Sequence, residues 1–179
     1  MGKSVGPEHD VDSMWREVVW GQFGAAIDSL ERAIDACPED LWGDRTQFPE
    51  YWYVVFHTLF FLDYYLSDSY EGFAPPAPFT LDELDPAGIL PDRVYTQAEL
   101  RTYLEYGRAK CLRVMESLTP ERARAPRKFG STEGTLAELL LYSMRHVQHH
   151  TAQLNLILRQ KTNSAPLWVG RTKIKLGGV

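Results

Sequence analysis

The sequence predicts an all-α protein, a four-helix bundle with up-down-down-up order. Three observations carry this. Apolar residues recur at helical spacing in four segments, Thr-x-x-Glu capping signals open two of them, and a long proline-rich stretch separates the second from the third.

The first helix is expected over about 11–36, with Asp10 or Asp12 as N-cap. Its inward stripe is read as Val11, Met14, Trp15, Val18, Ala25, Ala26 and Ala33, and it stops at Cys37-Pro38. The second spans about 49–67, where Pro49 suits a first turn, Glu50 complements the helix dipole and the inner face is strongly aromatic. Asp63 falls away from that face and reads as surface. The third, about 97–118, has Thr96 as N-cap and Glu99 as capping-box partner, with Leu100, Leu104, Gly107, Cys111, Val114 and Leu118 stepping by fours and threes. The fourth, about 135–160, is capped by Thr135 with Glu138. Its stripe runs from Leu136 through Leu139, Leu140, Ser143, Val147, Leu154 and Ile157 to Leu158.

Connections set the topology. The first is short, so its helices run antiparallel. The stretch 68–95 holds Pro75, Pro76, Pro78, Pro86 and Pro91 and cannot be continuous helix, which makes it the crossover between helices 2 and 3. From 162 to 179 the chain reads as an irregular tail, and the whole of 1–179 as one domain.

Composition narrows the function. The chain has 179 residues, 44% of them hydrophobic, enough to enclose one core. A net charge of −5 with scattered Lys and Arg offers no surface for a phosphate backbone, so no nucleic-acid partner is expected. The longest apolar stretch, within Val54–Leu62, is interrupted by His57 and Thr58 and falls well short of the roughly 20 residues a membrane helix needs. No secretory leader is evident at the N-terminus, so a cytoplasmic protein is expected. Its two cysteines, Cys37 and Cys111, lack the spacing of a disulfide framework or a zinc motif and read as reduced. Exposed aromatics expected on helices 1 and 2 suggest a homodimer.

The five histidines carry the chemistry. Residues four apart on a helix lie about 40° from each other, so His146 and His150 share a face. Measured from Leu154 in the buried stripe, His150 falls about 40° away, His146 about 80° and His149 about 140°, which turns His149 outward and leaves His146 with His149 as a competing pair. His57, among Tyr53, Val54, Phe60, Phe61 and Tyr64 on its own helix, must enter the core. A lone buried histidine is ordinarily bonded to a backbone carbonyl, but three inward histidines on two helices are better explained by a shared ion. Three neutral imidazoles suit zinc, nickel, copper or iron and leave a coordination position open. Gln153 could orient a ligand histidine or a bound water, Tyr53 and Tyr64 flank His57 as candidate proton donors, and Gln22 stands near the centre of the helix-1 stripe, where its amide could face the cavity. No GxSxG, phosphate loop, HExxH or di-iron Glu-x-x-His pattern occurs.

The histidine within EYWYVVFHTLFFLDYYL, together with RHVQHHTAQLNLIL, resembles the DinB/YfiT-like family of metal-dependent enzymes. Its members carry one metal-binding histidine in helix 2 and an HxxxH pair in helix 4, commonly followed by glutamine; His57, His146, His150 and Gln153 match. Many relatives have His-Arg-Gly-Gln where this chain has His150, Thr151, Ala152 and Gln153, so any role of that arginine is missing here. The resemblance implies one divalent metal, zinc or nickel first and iron or copper next, acting on a small-molecule substrate. Characterised members include S-transferases that use low-molecular-weight thiols such as bacillithiol or mycothiol, and a metal-dependent isomerase. The expectation is a metal that activates water or a small thiol against an electrophile; the alternative is a non-catalytic, metal-stabilised binding or stress-response module.

Overall fold

A computed structural model describes residues 7–129 and 131–177, with the side chains of 7–12, 129 and 132 outside the description. The protein is predominantly helical. In chain order it comprises α1 (Pro7–Ala36), α2 (Glu39–Trp42), α3 (Tyr51–Tyr65), a 3₁₀ turn (Asp82–Leu84), α4 (Gln97–Glu116), α5 (Pro120–Arg124), β1 (Pro126–Phe129), β2 (Thr132–Thr135) and α6 (Leu136–Thr162). Of the four long helices, α1 packs on α4 and α6, and α3 packs on the same two.

Local chemistry explains the boundaries. Thr96 accepts from the Glu99 amide while Glu99 returns a bond to the Thr96 amide, and Thr135 and Glu138 do the same at α6. The residue that follows α6, Asn163, is left-handed at φ 56, a conformation Asn tolerates. The opening of α3 differs from expectation. Glu50 takes the N-cap position with extended backbone, so Pro49 precedes the helix instead of sitting in its first turn. The Glu50 carboxylate accepts from Trp52 Nε1 at 2.6 Å and pairs with Arg45 at 2.9 Å.

Helix α1 departs further from the sequence reading. It continues through Asp10 and Asp12, which are therefore not its N-caps. Val11 is among the undescribed side chains. Ala25, Ala26 and Ala33 are buried as expected, but Met14 and Val18 are more than half exposed. Val19, Trp20, Phe23, Ile27 and Leu30 form the inner face in their place. The C-terminal tail explains the rotation. It is irregular but docked: Trp20 Nε1 donates to the Ile174 carbonyl at 2.7 Å and the Thr172 amide to the Gly21 carbonyl at 3.0 Å. A Cβ built on Gly24 would meet Thr172 Cγ2 at 2.5 Å, so glycine is what lets the tail lie this close.

Helix α3 is buried nearly all round. Tyr51, Trp52, Phe56, Leu59, Phe60 and Leu62 are fully enclosed, and no aromatic on α3, nor any described one on α1, is exposed, contrary to the exposed aromatics expected on the first two helices. Asp63 is likewise enclosed, not on the surface. Its carboxylate pairs with Lys110 and accepts from Tyr103 OH at 3.0 Å, while Lys110 also donates to Ser67 Oγ at 2.7 Å. On α4, Leu100, Leu104, Gly107 and Cys111 are buried as read, with Val114 only half-buried beside Met115.

The crossover is pinned by aromatic packing. Phe79 stacks on Tyr103 at 4.3 Å, and Tyr95 packs against Phe56 at 4.9 Å while its carbonyl accepts from Trp42 Nε1 at 2.9 Å. The hairpin β1–β2, with Arg127 opposite Gly134, was not expected from the sequence. Its four-residue strands, PRKF and TEGT, show no apolar alternation to betray them.

Candidate metal centre

Helix α3 supplies His57 and α6 supplies His146 and His150, and packing of α3 on α6 brings the three rings together. Their ligand atoms all lie within 4.8 Å of one another. His146 Nε2 is 3.3 Å from His57 Nε2 and 3.1 Å from His150 Nε2. Imidazole nitrogens held about 2.0–2.1 Å from a tetrahedral zinc stand roughly 3.3–3.4 Å apart, close to the two spacings that His146 Nε2 makes, so the three rings are near enough to share one ion.

The opposite edges of the rings sharpen the test. His57 Nδ1 lies 2.7 Å from Glu83 Oε2, and His150 Nδ1 lies 2.7 Å from Gln153 Oε1. Both partner atoms are acceptors, so each Nδ1 carries a proton, and in the neutral form that binds a metal each ring presents a bare lone pair at Nε2. A proton on His146 Nε2 could satisfy only one of these lone pairs. A cation among the three satisfies all of them, which is why the donor set fits a metal better than a hydrogen-bonded histidine cluster.

Electrostatics agree. Burial, with the neighbouring imidazoles His150, His57 and His149 adding to it, pushes His146 down to about 3. Burial also pushes His150 down to about 4, against the opposing effect of its bond to Gln153. Both are neutral at physiological pH, the form that coordinates. The His146 ring is held by packing, with Phe61 at 5.6 Å and Tyr65 at 6.0 Å, and its Nδ1 is buried without a hydrogen bond among the described residues.

The remaining candidates divide. Gln153 is in place behind His150. His149 is exposed and outside the cluster, so the i, i+4 pair is the one that converges. Tyr53 packs beside His57 at 6.3 Å between ring centres, and burial followed by the Glu83 charge holds its phenol protonated. Tyr64 instead stacks on Tyr70 at 4.3 Å and packs against Phe73, both from the crossover. Gln22 does not face the cavity: it is exposed and donates to the Gly170 carbonyl of the tail at 3.2 Å. Glu83 was missed. It belongs to the proline-rich crossover, 26 residues from His57, and no motif or helical period connects the two.

No helix of the described residues is long and apolar enough to cross a membrane. In comparisons with known proteins the chain matches no family model, no curated protein and no solved structure, so its three convergent imidazoles are the ground on which its chemistry is read.

Proposed function

We propose that the protein is a mononuclear metalloprotein of the DinB/YfiT-like kind, in which His57, His146 and His150 hold one divalent ion, zinc or nickel before iron or copper. Its helices would form an up-down-down-up four-helix bundle, a reading supported by the mutual packing of α1, α3, α4 and α6 and by the long connection from α3 to α4. The observation that carries the metal reading is the convergence of three Nε2 atoms, two of them with tautomers set by Glu83 and Gln153. Bound there, the ion would supply Lewis acidity to a water or small thiol.

The chain's own residues do the rest. Glu83 and Gln153 keep two rings aimed, Phe61 and Tyr65 pack against His146 and exclude water from that side, and the Tyr53 phenol retains a proton it can donate to a group held near His57. In this reading the thiol comes from outside. Burial, with the Asp40 charge adding, pushes Cys37 up to about 12, and burial raises Cys111 as well. Neither is a thiolate at neutral pH. The transfer would be a displacement: the thiol gives its proton to solvent, its sulfur bonds to an electrophilic carbon of the substrate, and the departing group, or the ring oxygen of an epoxide, takes the bonding pair and is protonated from solvent.

Elemental analysis of the purified protein, followed by a screen of small thiols against epoxide and haloaromatic electrophiles, tests the proposal. One tightly held divalent ion per chain and turnover lost in His150→Ala are expected. A protein that retains no divalent ion sinks the metal reading, whereas a loaded protein without turnover favours the non-catalytic module.

A further inference from the structure

The crossover contributes one charged side chain to the histidine cluster. The 3₁₀ turn Asp82–Leu84 carries Glu83, whose side chain is only 4% exposed. Its Oε2 meets His57 Nδ1 at 2.7 Å, its Oε1 is buried without a geometric hydrogen bond among the described residues, and the Tyr53 phenol is close enough to feel the carboxylate's charge. A carboxylate enclosed this far is strongly disfavoured unless a positive charge or a good donor compensates it. The His57 ring supplies one donor, Nδ1–H. A divalent cation on the far side of that imidazole would supply the charge.

We infer that Glu83 is a positioning residue for the metal, fixing His57 as the Nδ1–H tautomer and coupling the docking of the crossover to occupancy of the site by a divalent ion. The inference rests on the metal reading above. Its physical content is reciprocal: if the docked Glu83 strengthens binding of the ion, the bound ion must by the same factor strengthen docking of Glu83. Glu83 is not itself a ligand, because it meets the ring at Nδ1, on the edge away from the other two histidines. It acts through His57. The carboxylate would also place a negative charge close to an ion whose three protein ligands are neutral.

Three measurements on the full chain test this, comparing wild type with Glu83→Gln and Glu83→Ala. Gln keeps an acceptor for Nδ1–H and removes the charge; Ala removes both. Nitrogen-15 NMR of the metal-free protein should show His57 protonated at Nδ1 in wild type and in Glu83→Gln, and no longer held so in Glu83→Ala. Zinc affinity, measured by competition with a chromophoric chelator, should fall roughly 10–100-fold in Glu83→Ala, the usual consequence of losing a carboxylate behind a ligand histidine, and by less in Glu83→Gln. Hydrogen exchange at the amides of 82–85 should slow when zinc is added to wild type and respond less in Glu83→Ala. A residue that merely held the crossover in place would not show this zinc dependence. His57 protonated at Nε2 and bare at Nδ1 in the metal-free wild type would overturn the assignment, as would a Glu83→Ala protein that folds and binds zinc within twofold of wild type. Failure of the metal reading looks different: wild type then binds no zinc, which removes the coupling, while the His57 tautomer still reports whether Glu83 sets it.

Discussion

Gln153 Oε1 lies 2.7 Å from His150 Nδ1, one turn further along the same helix, and this contact decides which nitrogen of His150 faces the other two imidazoles. Replacing Gln153 with Ala frees the ring to flip and to change tautomer. Helical content should be unchanged, because position 153 is only half-buried, and zinc affinity should drop by about 10-fold or more. A chelator-competition titration that finds wild-type affinity in Gln153→Ala would show that packing alone orients His150.

The ligand set makes a sharper prediction. His57→Ala, His146→Ala and His150→Ala should each lose most of the bound ion, since two imidazoles hold a divalent metal much more weakly than three. His149→Ala should keep it, because His149 is exposed and outside the cluster. Metal content per chain is the readout. Stripping the ion from wild type should lower the melting temperature by the linkage between binding and folding, yet leave the helical circular dichroism, since the core from Phe23 to Leu158 forms without it.

Asp63 is completely enclosed and is partnered by Lys110 and Tyr103. Asp63→Ala leaves the Lys110 ammonium, itself mostly buried, without its counter-charge. Breaking a buried pair from one side costs about 3–5 kcal/mol. Urea unfolding should show a loss of that order, with the double variant Asp63→Ala, Lys110→Met recovering part of it. A loss below about 1 kcal/mol would match an exposed pair and contradict the burial described here.

Docking of the C-terminal tail depends on Gly24. In Gly24→Ala the new methyl group collides with the Thr172 side chain, and with its Cβ as well, 2.7 Å away. Overpacking of this kind costs about 1–3 kcal/mol when neighbours must move. Residues beyond 165 should become sensitive to proteolysis while the helices stay folded, and adding Thr172→Gly should restore protection. If Gly24→Ala alone leaves the tail fully protected, the tail can shift without loss.

Much of this molecule follows from rules that act within a few residues. The capping boxes Thr96–Glu99 and Thr135–Glu138 close as the Thr-x-x-Glu pattern implies, and the i, i+4 spacing sets His146 beside His150 with His149 turned out. These features depend only on the geometry of one helix, which the sequence specifies. Helical period was a poorer guide on α1 and α3. It assumes one buried face, but α3 is enclosed by α4, α6 and the crossover, so even Asp63 is inside. On α1, where Val18, Val19 and Trp20 are apolar in succession, the docked tail selects Trp20 and leaves Val18 in solvent.

By itself, then, the sequence determined a largely helical chain, its helix starts at 96–97 and 135–136, and the histidines most fit to meet. Only the tertiary structure decided that Glu83 stands behind His57, that Lys110 neutralises Asp63 from 47 positions away, and that Gln22 serves the tail and not the cavity. The physical reason is range. A cap or an i, i+4 pair is stabilised by contacts already close in the chain, whereas a buried carboxylate finds its partner only when packing of distant segments excludes water and leaves one donor within reach.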